Sequence, residues 1–335
     1  MRLNDSRATA KKALQARHGP VASVAIVGLG RLGSALALAL HAAGITVADI
    51  VVRGKPDAAQ KKLARAVGAR TSSWREAEFD ADVVWLCVAD GEIAGVAKDL
   101  AERWRSQRRK PRLVLHSSGV WSSDVLAPIR RVGIATGSAH PFRSFPKSAV
   151  TSASLHGVFF GVEGDAIALK ASRALISKMG GEAFFVDAKS KPLYHAFGSL
   201  SSGLLVALLA SAEEAGARSG IAPNTVAKLM RSLAGGTFAN WDKNGAAGSF
   251  SGPIVRGDAE TIRLHLASLQ STPELAAIYG ALTGYAIEHL PGRNKSELRA
   301  LLGEKQFARK RSSTKQSKLQ RVGARAVSQS KRGRE

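Results

Sequence analysis

The chain has 335 residues, 45% hydrophobic, with 49 Lys and Arg against 26 Asp and Glu and a formal net charge of +23. That length predicts two domains, and the single cysteine, Cys87, excludes an internal disulfide framework and fits a reducing cytoplasm. The most apolar run, Leu204 to Ala210, is far short of the roughly 20 residues that span a bilayer, which argues against an integral membrane protein.

The charge is concentrated at the ends. Residues 1–20 form a basic extension with no apolar signal core. Residues 304–335 hold eleven Lys and Arg against two Glu, with few large apolar side chains, so the segment 303–335 is expected to be a disordered basic tail. Such a tail can make weak contacts with nucleic acid or an anionic surface through phosphate attraction. The plainer expectation for it is a solvated extension without a ligand of its own.

Between these ends, "VASVAIVGLGRLGSALALALHAAGITVADIVVRG" reads as strand, glycine turn, helix (from Ser34 to Ala43) and second strand (Ile45 to Val52). A helix follows at "AAQKKLARAVG". The strand "ADVVWLCVAD" comes next, with Asp90 placed to cap the helix after it. The strand "RLVLHSSG" follows, and then shorter strands at "GIATGSAHP", "GVFFGVE" and "EAFFVDA". Strands alternating with helices predict a parallel sheet covered on both faces. From Lys191 to about Leu302 the pattern is helical, with "YHAFGSLSSGLLVALLASAEEAGARSG" read as one helix. The predicted architecture is α/β: a mostly parallel Rossmann-type sheet domain over 21–189, an all-helical substrate and dimerisation domain over 190–302, and the tail.

Gly28, Gly30 and Gly33 make a G-x-G-x-x-G that follows a strand and opens a helix, the context that makes the pattern specific. Leu29, Arg31 and Leu32 complete this dinucleotide turn, and Val88 and Ala89, at the end of a neighbouring strand, are expected beside it. The tip of the second strand carries Arg53 where NAD sites place an acid, and a guanidinium there pairs with a 2′-phosphate. NADP is therefore favoured over NAD, with Arg53 as a plain solvated arginine the alternative. Asp49, the acid nearby, lies inside the strand.

Candidate chemistry lies in three stretches. "LHSSG" ends a strand, and Ser117 and Ser118 either hold a substrate oxygen or cap the chain that follows. "GSAHPF" ends another, and His140 either polarises a carbonyl or is structural. In "KPLYHAFGSLSSG", His195, Ser199 and Ser202 fall at helical spacing, giving one polar stripe that begins with a titratable group. Hydride transfer to C=O or C=N needs a proton donor near the acceptor atom; His195 is the candidate, with Lys191 and Tyr194 nearby alternatives. Arg256, in "SGPIVRGD", is a candidate clamp for a substrate carboxylate, and Asp258 stands as the N-cap of "AETIRLHLASL". No metal-ligand spacing is present.

The order GLGRLG, "VVR", "LHSSG", "GSAHPFRSF", "KPLYHA" and "SGPIVRGD" resembles the bacterial Rossmann-like proteins that carry a C-terminal domain of unknown function 2520. These are similar to the 6-phosphogluconate dehydrogenase-like superfamily, with its ketopantoate and pyrroline-5-carboxylate reductases. The resemblance implies an NAD(P)-binding domain, a helical domain that makes a homodimer, and oxidation or reduction of a small-molecule substrate at carbon bearing oxygen or nitrogen. Relatives often carry an Asn after YHA, where this chain reads Ser201-Ser202-Gly203. The expected function is thus NADP-dependent reduction of a small oxo acid, imine or related carboxylate. A non-catalytic NADP(H)-binding sensor or scaffold, tethered by its basic tail, is the alternative.

Overall fold

The computed structural model describes residues 20–145 and 150–303. The basic extension, apart from Pro20, and the 304–335 tail, with the nucleic-acid contact assigned to it, lie outside these residues. Two compact units divide after Gly203.

Eight strands form the sheet of the first unit: β1 (Ser23–Val27), β2 (Thr46–Val52), β3 (Arg70–Ser73), β4 (Val83–Leu86), β5 (Leu113–His116), β6 (Ala135–Pro141), β7 (Phe159–Gly164) and β8 (Glu182–Phe185). Their order is β3-β2-β1-β4-β5-β6-β7-β8. Every pairing is parallel except β6 with β7. The order reverses between β1 and β4, which opens a crevice beyond their carboxyl ends. The central strands are buried on both faces, so β1, β4 and β5 are continuous apolar runs rather than alternating ones.

Helices α1 (Arg31–Ala42), α2 (Ala58–Ala66), α3 (Ile93–Arg105), α4 (Ala127–Arg131) and α5 (Ala166–Lys178) accompany the sheet. One core packs Leu36, Leu40, Ile26 and Trp85 together, and the other packs Val84, Leu86, Leu100 and Trp104. Helix α1 begins at Arg31, three residues before the Ser34 read from sequence, because the chain turns helical immediately after Gly30. Asp57 caps α2 through a reciprocal bond pair with Gln60.

Three expectations are corrected. Asp90 makes no cap: a single 3-10 turn, Asp90–Glu92, intervenes before α3, and no side chain caps that helix. β3 has no counterpart in the sequence reading, because its residues, Arg-Thr-Ser-Ser, carry no apolar alternation. The division between units falls after Gly203 rather than at 189/190, because α6 (Lys191–Leu200) packs Lys191 into the interior of the sheet unit.

The predicted single helix from Tyr194 also breaks. α6 ends at Leu200 and α7 (Gly203–Arg218) begins after a turn at Ser201–Ser202, so Ser202 does not continue the stripe of His195 and Ser199. By length and composition the stretch Ala188–Arg218 meets the requirement for crossing a membrane, with a mean hydropathy of 1.5 in its most apolar window. The turn at Ser201–Ser202 divides it, and its start holds the buried Lys191.

The second unit continues with α8 (Pro223–Ser249), α9 (Pro253–Arg256), α10 (Ala259–Ser268) and α11 (Pro273–His289). Ile262, Leu266, Ile287 and Leu298 make its core. Asp258 caps α10, accepting from the Thr261 amide at 3.0 Å and from its hydroxyl at 2.7 Å. Arg256, by contrast, is the last residue of the short helix α9. It is exposed and belongs to the second unit.

Candidate functional site

The glycine turn is built by close backbone contacts. Gly28 sits at φ 95°, donates to the Val51 carbonyl at 2.9 Å, and faces the Cys87 carbonyl so closely that a Cβ would stand 2.8 Å from it. Any side chain at Gly33 would collide with the Gly28 carbonyl. Gly30 differs. Its backbone is ordinary extended chain, and nothing lies within 4 Å of where its Cβ would be. No protein atom demands glycine at 30, which borders open space.

That space is a cavity of about 370 Å³ lined by Gly30, Arg31, Leu32, Cys87, Val88, Ala89, Asp90, Ser117, Ser144 and Phe145. The sequence reading placed Gly30, Arg31, Leu32, Val88 and Ala89 at this turn, and the structure brings these five together with Ser117, read from sequence as a substrate contact. Leu29 packs partly against the core behind the turn. Helix α1 opens onto the cavity with no side-chain cap and no acid in its first turn, which leaves its first amides for an anion. Arg31 closes one side by donating to the Phe145 carbonyl. Ser144 and Phe145 lie in the GSAHPFRSF stretch that carries the family resemblance, but no site role was read for them; they arrive from the β6–β7 connection.

Arg53 follows the end of β2 and is 82% exposed, paired with Glu92. Asp49 is buried within β2 and bonded to Ser72 and Arg70. Burial raises its carboxyl above the usual range against those bonds, and it is committed to the strand pair. Burial pushes the Cys87 thiol up to about 12, which disfavours its thiolate.

A second cluster stands beyond β5 and β6, where α6 crosses. His140 Nδ1 and the Tyr194 hydroxyl are 2.8 Å apart. The Gly161 amide also bonds the phenol oxygen. With the phenol donating to Nδ1, His140 carries its own proton on Nε2. Burial, then the charges of Lys191 and His195, hold the His140 imidazole down to about 4, while burial pushes the Tyr194 phenol up to about 12. The rings of His140 and His195 meet edge to face at 5.8 Å. Both press on Gly119: a Cβ there would be 2.5 Å from His195 Cδ2 and 2.8 Å from His140 Nε2.

The two serines before Gly119 are largely occupied. Ser117 Oγ accepts from the Trp85 indole at 2.8 Å. Ser118 Oγ accepts from the Val120 and Trp121 amides, the capping alternative of the sequence reading, and its own amide donates to His116 Nδ1. Ser199 Oγ donates to the His195 carbonyl within α6, so its proton is spent on backbone.

Lys191, weighed from sequence only as an alternative donor, is the most buried cation described: 1% exposed, its ammonium donates to the Ser118 carbonyl at 2.7 Å and the Ser138 hydroxyl at 2.5 Å. Burial brings its amine down to about 8, opposed by the charges of Glu163 and Asp90. Glu163 is itself buried and accepts from the Ser123 amide and hydroxyl. An acid inside the apolar run "GVFFGVE" was the one sequence sign of this network. No group of residues able to hold a metal occurs among the described residues.

Two family models match the chain, the Rossmann-like domain over residues 8–141 and the domain of unknown function DUF2520 over residues 158–286. The chain is a Rossmann-like protein with a C-terminal DUF2520 domain. Among solved structures, it is similar to protein TM1727 from Thermotoga maritima, at 20% identity and a TM-score of 0.59, over 84% of this chain and 99% of that one. An imine reductase from Streptomyces aurantiacus is 16% identical with a TM-score of 0.54, over 84% and 99% of the two chains. The imine reductase from Myxococcus stipitatus, in complex with NADP+, is 18% identical with a TM-score of 0.53, over 79% and 92%. At these identities the likeness is one of fold. A comparison with curated proteins gave no match.

Proposed function

We propose that this protein is an NADP(H)-dependent oxidoreductase acting on a small oxo acid, imine or related carboxylate. One observation carries the reading: a glycine turn whose middle glycine, Gly30, is required by no protein atom, set at the uncapped start of α1 over a cavity. That arrangement fits a pyrophosphate against the α1 amides. Arg53, freed from Glu92, supports a 2′-phosphate and therefore NADP over NAD.

The nicotinamide, when bound, gives or takes the hydride. This chain's residues handle the proton. His195 is the donor, and neutral His140, oriented through Nδ1 by Tyr194, presents Nε2–H to the substrate oxygen or nitrogen. The imine reductases among the structures of like fold support a C=N or C=O acceptor. Exposed Leu229, Leu233, Phe238 and Trp241 on α8 support a homodimer through the helical unit.

The test is NADPH oxidation by the purified protein across a panel of oxo acids and imines. Turnover is expected, with kcat falling at least about 100-fold in His195→Ala. NADPH binding without turnover across the panel would instead favour the sensor reading.

A further inference from the structure

Lys191 is unusual because a charge has been taken out of water and given two neutral partners. A lysine side chain at this point of α6 costs stability that a methionine would not, since a buried ion must be repaid by its contacts. Glu163, whose charge favours the ammonium most, spends its bonds on Ser123. What the ammonium does hold is the Ser118 peptide, and the next residue is Gly119, on which both imidazoles rest.

We propose that Lys191 is the positioning residue of the donor cluster: its ammonium clamps the Ser118–Gly119 turn beneath His140 and His195 and sets its charge against the His140 ring.

Three lines of geometry meet here. Lys191 reaches two strands at once, at Ser118 just after β5 and at Ser138 within β6, so it ties the strands that carry the turn and His140. Gly119 has no room for a side chain between the rings, so any shift of this turn moves both imidazoles. The groups that act on the ammonium or are acted on by it are Glu163 from β7, Asp90 from the turn after β4, His116 from β5 and His140 from β6, and His195 from α6 lies against the His140 ring. Glu163 and Asp90 favour its charge, and the charge in turn disfavours protonation of His116 and His140. The result is a His140 imidazole that stays neutral and hydrogen-bonding well into acid. The inference rests on the oxidoreductase reading only for the word donor; the clamp and its charge are properties of the folded protein.

The test is a pH titration of the histidine ring nitrogens by NMR in the full chain, followed independently of turnover. In the wild-type protein, His140 is expected to show a second step in chemical shift near pH 8 as Lys191 discharges, although its own protonation lies far below. Lys191→Arg should abolish that step while keeping His140 neutral. Lys191→Met should raise the protonation midpoint of His140 by at least about half a pH unit. The acid limb of kcat/KM should move in the same direction. A wild-type His140 signal flat from pH 7 to 10 overturns the proposal, as does a folded Lys191→Met variant with an unmoved His140 midpoint. Should Lys191→Met not fold, the wild-type and arginine titrations decide the matter alone. Absence of turnover in a protein that still shows the step would defeat the oxidoreductase reading and leave the clamp standing.

Discussion

Acid should weaken the sheet unit well before its carboxylates protonate. His116 is fully buried, and burial, then the Lys191 charge, brings its imidazole down to about 3; His140 is held at about 4. Both values lie below the 6.5 of an exposed histidine, so the unfolded chain binds protons that the folded chain refuses. Stability is therefore full above pH 6.5 and is lost as the pH falls from there toward the folded values. At pH 5 an unfolded histidine gains about RT ln(1 + 10^1.5), or about 2 kcal/mol, and at pH 7 about 0.2 kcal/mol. Two such residues cost about 3.5 kcal/mol between pH 7 and pH 5. The figure depends little on the folded values, provided both stay near or below 4. The assay is urea unfolding followed by tryptophan fluorescence, since Trp85 and Trp104 are buried in this unit. His116→Asn, whose amide oxygen can accept from the Ser118 amide as Nδ1 does, should recover about half of the loss. An unfolding free energy equal at pH 7 and pH 5 would refute the reasoning.

The glycine turn offers a paired test. Gly30→Ala should leave the melting temperature within a degree or two, because the added methyl meets no protein atom, yet weaken NADPH binding at least about tenfold by intruding on the phosphate side. Gly33→Ala should lose folding stability outright, by about 2 kcal/mol or more, from its collision with the Gly28 carbonyl. Equal stability of the two variants in a thermal melt would contradict the division of labour argued for the turn. Arg53→Ala should weaken NADPH binding by about 1.5–3 kcal/mol, the range of a charge-assisted contact, and leave NADH nearly unchanged by calorimetry. A mutant that keeps its NADPH affinity removes the 2′-phosphate assignment.

What the sequence made legible was what local geometry dictates. Gly28, Gly30 and Gly33 could be read because a strand-turn-helix needs them within six residues, and Asp258 because a helix cap bonds only three residues ahead. The edge strand β3 was not legible: Arg70 to Ser73 pairs with β2 through its backbone, and its side chains serve Asp49 rather than an apolar core. Asp90 looked like a cap by position, but the chain inserts a 3-10 turn there and keeps the side chain at the cavity. Lys191 was hardest of all. Its partners lie 73 and 53 residues away in sequence, and a lysine before Pro192 at a helix start looks solvated until the sheet closes over it.

The same contrast bears on how the cluster works. A histidine recognised from sequence invites the assumption of a proton carrier titrating near neutrality. His140 is not one, because burial and its neighbours hold it near 4 and its Nδ1 is bonded to Tyr194. At neutral pH it can orient and donate a hydrogen bond, but it cannot deliver a proton without recovering one in the same step. The His140–Tyr194 pair therefore suits holding the acceptor atom, and the delivery of the proton falls to His195, whose ring shares the Gly119 floor. If so, His140→Asn, which can keep a hydrogen bond to Tyr194 through its amide oxygen, should raise KM more than it lowers kcat, whereas His195→Ala should lower kcat and spare NADPH binding. The opposite pattern, with kcat collapsing only in the His140 variant, would exchange the two roles.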